Sequence, residues 1–431
     1  IYLNYFKKLM MIEANNPKRN SWIKYNKDSE FPIQNIPFGV GKTIENKIHC
    51  LTIIGSTLIS LTKLEELNYF NETSLKPQTF NKKNLNPFLK QSKKTWREVR
   101  DCISKLFDSN NILLRNNAKD KESVLFDSSN IEMIMPVRVG DYTDFYSSKD
   151  HATNVGKMFR DPENALLPNW LNIPVGYHGR SSSIVISGTN IKRPSGIILD
   201  KITQKPYFSK SKLLDFELEM AFITGQGKPL GKNISTYEAE DFIFGMCLFN
   251  DWSARDIQKY EYVPLGPFLG KSFASSISPW IVTLDALSPF KTNGEKQVPQ
   301  VSKYLQFEGK RNYDIKLDVF LKTDKKSSVK IISSNFKYMY WNMCQQLAHH
   351  TINGCNINAG DMMASGTISG PNKSEFGSML ELSWGGKYYI DIENGVKRKF
   401  VEDNDTIIMR GIAQNDIYKI GFGELKNKIL K

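Results

Sequence analysis

The chain has 431 residues, 40% of them hydrophobic, and carries a formal net charge of +13. That length buries substantial cores and points to two or three domains. The charge raises the question of a nucleic-acid or acidic-lipid partner. However, the basic residues are scattered, and the densest stretch, Lys82 to Lys105, mixes Lys with Asn, Pro and Gln and holds no nucleic-acid-binding signature. A solvated basic surface accounts for it, so no nucleic acid and no membrane are expected as partners: no apolar run reaches the ~18 residues a membrane helix requires. Cys50, Cys102, Cys247, Cys344 and Cys355 are widely separated and form no CxxC pair, which excludes a disulfide framework and a cysteine zinc site. A reducing compartment, the cytoplasm, is the expected address. Ile1 to Arg19 lacks a signal peptide's apolar stretch and cleavage site, and because the chain opens with Ile1, translation is expected to begin at Met10 or Met11.

Residues 1–20 are polar and are expected to be a disordered extension. Residues 21–137 read as a small supporting domain with two helical stripes. One holds Leu58, Leu61, Leu64 and Leu67; the other holds Trp96, Val99, Ile103, Leu106 and Phe107, spaced three and four apart as one buried face demands. From residue 138 to 431 turn residues are frequent and the apolar runs are short: Ile184 to Ile186, Ile281-Val282, Ile315 to Leu321, and Thr406 to Met409. Such a pattern predicts a sheet-rich domain with functional loops. One helix is predicted from near Asn335, carrying Met339, Met343 and Leu347, with Gly354 as its stop.

The stretch Leu213 to Met220 alternates with a period of two. As one strand it places Leu214, Phe216, Leu218 and Met220 on one face and crowds Asp215, Glu217 and Glu219 on the other. An exposed strand face would also carry acids, but neighbouring like charges repel, and a hard cation with oxygen ligands relieves that repulsion. Asp251, just after the apolar run Phe244 to Phe249, and Asp144, in the polar and aromatic loop Gly140 to Ser148, add two more acids. An all-oxygen set without Cys favours Ca²⁺ or Mg²⁺ over Zn²⁺. His151, seven residues after Asp144, is a candidate general base, although a lone His is more often structural. His349 and His350 close a helix and suit its dipole; His178 is ambiguous. No Gly-x-Ser-x-Gly elbow supports serine-based hydrolysis.

Taken in order, these segments resemble the fumarylacetoacetate hydrolase family. The resemblance runs through Asp141 to Ser148, His151 to Gly156, Met158 to Asp161, Glu163 to Trp170, Pro174 to Arg180, Leu213 to Met220, Asn250 to Lys271, Asn335 to Trp341, Ala364 to Pro371 and Phe376 to Trp384. Asp28 to Ile33 and Pro37 to Val40 resemble the family's N-terminus. The resemblance implies a mainly β protein with some α, in which a small N-terminal SH3-like barrel domain precedes a mixed β-roll catalytic domain. It implies a homodimer and metal-dependent hydrolysis of the carbon–carbon bond of 4-fumarylacetoacetate to fumarate and acetoacetate, the last step of tyrosine and phenylalanine degradation. By the same resemblance, Asp144, Glu217, Glu219 and Asp251 match Ca²⁺ ligands, and Asp251, Lys271 and Ser275 sit at positions associated with Mg²⁺. Tyr146, Arg160, Gln258, Tyr262 and Thr367 match substrate-binding positions. His151 matches the base and Glu381 the acid that orients it, while Arg255, Gln258 and Lys271 are the donors for developing negative charge.

Two departures stand out. Ala274 and Ser275 replace Gly and Thr, which keeps the hydroxyl but leaves the local backbone open, and Tyr260 replaces a Trp. An acylpyruvate hydrolase, a 2-keto acid decarboxylase and an inactive metal-bound homologue are the alternatives. The N-terminal domain and the long Asn250 to Lys271 match weigh against the first two, and the presence of His151, Glu381, Lys271 and four carboxylates weighs against the third.

Overall fold

The structure, a computed structural model, describes residues 12–324, 327–393 and 395–431. Five antiparallel strands form the N-terminal sheet, in the spatial order Leu125–Asp127, Thr57–Ser60, Ile48–Ile54, Gly39–Thr43 and Ile131–Ile134. Its two outermost strands are consecutive in sequence, joined only by the turn Ser128–Asn130. That link spans at most about 14 Å of extended chain, whereas the edge strands of a flat five-stranded sheet would stand about 19 Å apart. The sheet therefore curls, as a small barrel requires.

The helix Lys93–Leu106 buries Trp96, Val99, Ile103 and Leu106 as its spacing predicts, and the side chain of Ser92 caps it by accepting from the Thr95 amide. The other stripe does not make one helix. Leu58 lies in strand Thr57–Ser60, and the helix covers only Leu61–Glu66. Ser60 sets that start: its backbone is extended and its side chain accepts from the Lys63 amide. Residues 12–20, assigned from sequence to a disordered extension, are pinned in place. The Ala14 amide donates to Asp101 Oδ1 (2.9 Å) and Asn15 Nδ2 to the Asp285 carbonyl (2.7 Å). Residues 1–11 of that extension lie outside the described residues.

Beyond residue 138, strand outweighs helix. A mixed sheet of eight strands runs Gly176–His178, Tyr142–Phe145, Met362–Ala364, Leu218–Thr224, Ile243–Asp251, Ser275–Ile277 and Ile184–Ile186, with Val282–Thr283 also paired to Ile243–Asp251. A second sheet, of six strands, is built on Lys316–Lys322, Thr406–Gln414 and Leu425–Leu430. Leu218, Met220 and Phe222 of the first sheet share one core with Leu317, Val319, Leu321 and Met409 of the second. The alternating Ala221 and Ile223, with Phe244, Cys247 and Phe249, join Phe38, Phe88 and Trp96 of the N-terminal part in another core. Both faces of the central strands are thus covered, and their sequences are apolar except near the ends that carry Glu219 and Asp251. The predicted helix at Asn335 begins later, at Met343–Thr351, because Asn342 and Gln345 form a capping box there; Phe336–Tyr338 is a separate short turn.

Phe244 lies where the two parts meet. Its ring packs edge-on against Phe38, Phe88 and Trp96, with centroids 5.4, 5.6 and 5.2 Å away. Phe244→Ala is expected to lower stability by about 3–5 kcal/mol, measured as a lower midpoint in chemical denaturation; an unchanged midpoint would mean that this contact does not hold the two parts together.

Candidate active site and metal centre

Four carboxylates meet where several strands of the eight-stranded sheet end. Asp144 belongs to Tyr142–Phe145, Glu219 opens Leu218–Thr224, and Asp251 closes Ile243–Asp251. Glu217 arrives by a local irregularity. The expected continuous strand is broken between Leu214–Asp215 and Leu218–Thr224, and the freed Glu217 amide donates to Asn250 Oδ1 (3.2 Å). Asp144, Glu217, Glu219 and Asp251 each offer an oxygen within 4.8 Å of the others, and none is more than 5% exposed. Gly366 is required at their rim. Its φ of +76° and a Phe145 carbonyl 2.2 Å from where a Cβ would sit leave room for no side chain, and its amide donates to Glu219 Oε2 (3.0 Å).

Two cations stand among these acids. Lys271 Nζ reaches Glu217 Oε2 (2.6 Å) and Asp251 Oδ2 (2.7 Å), and Arg255 Nη1 reaches Glu217 Oε1 (2.8 Å). Gly270 lets Lys271 approach, since a Cβ there would lie 2.7 Å from the Gln258 backbone. Ser275 Oγ and Tyr177 Oη donate to Asp251 at 2.9 and 3.0 Å. Burial raises the Glu217 carboxyl, but Lys271, Arg255 and His151 outweigh it and hold the group below its ordinary value. Asp144 and Glu219 have the opposite balance. Burial, then the charges of neighbouring carboxylates, push both well above the usual range. Asp144 Oδ1 and Glu219 Oε1 are buried without any hydrogen-bond partner.

Buried carboxylate oxygens without donors, set beside like charges, are the environment a hard divalent cation completes. These four residues fit one. The trio expected at a second, Mg²⁺ position is also assembled, but Lys271 and Ser275 both act as donors to Asp251. An ammonium has no lone pair to offer a metal, so the Lys271 side chain as placed neutralises Asp251, and the oxygens of that trio are those of Asp251, the Ser275 hydroxyl and the backbone carbonyls.

His151, 3% exposed, sits in the first turn of Lys149–Phe159, a helix capped by Ser148. Its Nδ1 lies 2.7 Å from Glu381 Oε2. Glu381 is held in turn by Asn154 Nδ2 (2.9 Å), Ser369 Oγ (2.9 Å) and Ser378 Oγ (3.0 Å). Burial raises the Glu381 carboxyl, yet His151 and these hydrogen bonds bring it below its ordinary value. With Nδ1 committed to a carboxylate, Nε2 is the free nitrogen of the ring.

The Tyr146 ring stands edge-on to His151, with centroids 5.3 Å apart, and Gln258 Oε1 is 3.4 Å from Arg255 Nη1. Thr367 is buried beside Gly366. The Arg160 guanidinium donates to the Ala165 carbonyl (2.6 Å) and its charge acts on the Tyr146 phenol, and Tyr262 is half exposed. Asn154, Ser369, Ser378 and Tyr177 are functional neighbours that the sequence does not single out. Asn154 alone leaves a signal there, three residues after His151 on the same helical face. His178 shares Thr143 with His350, outside the acidic cluster.

The family description "Fumarylacetoacetate (FAA) hydrolase C-terminal" matches residues 141–430, and "Fumarylacetoacetase N-terminal" matches residues 34–136. The chain belongs to the fumarylacetoacetate hydrolase family. It is 50% identical to a fumarylacetoacetase of Dictyostelium discoideum over 95% of this chain and 97% of that one. It is 48% identical to the fumarylacetoacetase of Homo sapiens over 95% and 98%. The fold is similar to that of a fumarylacetoacetate hydrolase from psychrophilic Exiguobacterium antarcticum, with a TM-score of 0.53 and 16% identity over 92% of this chain and 99% of that one. No helix among the described residues of this family member is long and apolar enough to cross a membrane.

The raised carboxyls of Asp144 and Glu219 set a pH dependence. The folded, metal-free protein holds their protons more tightly than the unfolded chain does. The stability they allow is fully present below the ordinary carboxylate pKa of about 4 and is lost as pH rises through the raised values. A cation binds the ionised forms, so at a fixed calcium concentration the calcium-induced rise in stability is expected to grow as pH increases above the ordinary carboxylate range; at a hundredfold excess over Kd it amounts to about 2.7 kcal/mol. A rise independent of pH, followed by scanning calorimetry, would show these carboxylates already ionised without the ion.

Proposed function

We propose that this chain hydrolyses the carbon–carbon bond of 4-fumarylacetoacetate to fumarate and acetoacetate, the last step of tyrosine and phenylalanine degradation. The observation that carries the proposal is one buried assembly: a four-carboxylate cluster with orphaned oxygens beside a histidine held by a carboxylate. It lies in a chain about half identical, nearly end to end, to proteins named fumarylacetoacetase. Residues 138–431 form the catalytic domain and residues 21–137 the domain that supports it. The family resemblance favours a homodimer, and the free cysteines favour the cytoplasm. Ca²⁺ is the ion proposed for Asp144, Glu217, Glu219 and Asp251, and Mg²⁺ for the position of Asp251, Lys271 and Ser275.

When bound, such an ion supplies Lewis-acid polarisation of the 1,3-diketone. His151, held through Nδ1 by Glu381, uses Nε2 to take a proton from water. The resulting hydroxide adds to the ketone carbon next to the alkene. The bond to the adjacent methylene then breaks, its electron pair leaves with the acetoacetate fragment, and His151 returns the proton to that carbon. Lys271, Arg255 and Gln258 are donors for the charge that develops on oxygen and on the departing fragment. Tyr146, Tyr262 and Thr367 contact the substrate, and Arg160 grips a terminal carboxylate with its two-pronged guanidinium, for which it exchanges the Ala165 carbonyl.

The test is loss of the diketone's ultraviolet absorbance with fumarate appearing. Wild type loaded with Ca²⁺ is expected to turn over, His151→Ala and chelator-treated protein to be inactive, and Lys271→Met to lose at least about a hundredfold in kcat. No turnover by the loaded wild type, with acylpyruvates cleaved instead, would replace this substrate.

A further inference from the structure

Asp215 belongs to the acidic stretch that the alternating pattern places on one face, yet it is absent from the metal cluster. The break after Leu214–Asp215 turns its side chain toward a different set of partners. It is fully buried, and both of its oxygens are taken. Oδ1 accepts from the amides of Phe216 (2.9 Å) and Met379 (2.8 Å). Oδ2 accepts from the amide of Leu380 (3.1 Å) and from Arg255 Nε (2.9 Å).

These partners belong to both halves of the site. Met379 and Leu380 open the short helix Met379–Leu382, whose third residue is Glu381, the carboxylate that holds His151. Arg255 uses its other edge on Glu217, one of the four clustered acids. A single carboxylate therefore grips the segment that aims the base and the guanidinium that faces the metal ligands. A neutral acceptor cannot do both. The amide of an asparagine has one acceptor oxygen, so its NH₂ group must face either the Phe216 and Met379 amides or the Leu380 amide and Arg255, leaving buried donors unpaired.

We propose that Asp215 is a positioning residue for the hydrolysis, fixing Glu381, and through it His151, in register with Arg255. This rests on the function proposed above. The experiment compares kcat, KM and Ca²⁺ affinity for wild type, Asp215→Asn and Asp215→Glu, and repeats Asp215→Asn in Glu381→Gln and Arg255→Lys backgrounds. Asp215→Asn is expected to lower kcat roughly 10–100-fold, the range for groups that orient catalytic ligands. KM and calcium affinity should stay within about threefold. The loss should shrink in at least one double variant, because residues acting as a unit are not additive. A kcat within about threefold of wild type, or losses that multiply fully in both backgrounds, overturns the proposal. If Asp215→Asn does not fold, Asp215→Glu, which keeps the charge but lengthens the grip, carries the same expectations. Failure of both to fold marks Asp215 as purely structural and overturns it too. Wild type without turnover removes the functional proposal and this one with it; active wild type matched by Asp215→Asn removes this one alone.

Discussion

The arrangement of this protein turns on mutual repulsion among buried carboxylates. Asp144, Glu217, Glu219 and Asp251 share a space only a few ångströms across, largely shielded from water. Ionised acids in such surroundings are tolerated only when opposite charge or hydrogen-bond donors reach them. Lys271, Arg255, Ser275, Tyr177 and the Gly366 amide provide part of that compensation. They serve Glu217, Asp251 and one edge of Glu219, leaving the rest of the cluster turned inward on a deficit of positive charge. That deficit leaves the site able to hold a small, hard cation.

The scaffold answers this constraint with contacts that are distant in sequence. His151, the acid that holds it, the clustered acids and their donors come from residues 144–154, 177, 215–219, 251–275 and 366–381, and strand pairing brings most of them to one end of a sheet. Two backbone irregularities do the fine placement. The break at Phe216-Glu217 lets consecutive acids serve different partners, and the left-handed Gly366 aims an amide where a side chain would collide. Nothing about these positions is set by local propensity, so they are only as rigid as the packing behind them.

How far the sequence discloses this depends on the range of the interaction. The helix Lys93–Leu106 was legible because its apolar stripe repeats over several turns. Helix starts at Ser60 and Asn342 were not, because a capping side chain decides them and overrides the apolar spacing around it. The acids of the metal cluster were legible as unusual charge on a strand, but alternation grouped Asp215 with Glu217 and Glu219, and only the strand break separates them. Glu381 and His151 are 230 residues apart, and no periodicity connects them; family resemblance alone linked the two. Ser369 and Ser378, which hold Glu381, look in sequence like ordinary turn residues.

The back of the catalytic sheet is apolar and is covered by Phe38, Phe88 and Trp96 of the N-terminal part. A sheet so covered behaves as a client of its cover. Removing that cover would expose Ile223, Cys247 and Phe249 to water as an adhesive apolar surface. Substitutions in that cover would therefore act through cellular abundance, with chaperones and proteases removing the chain.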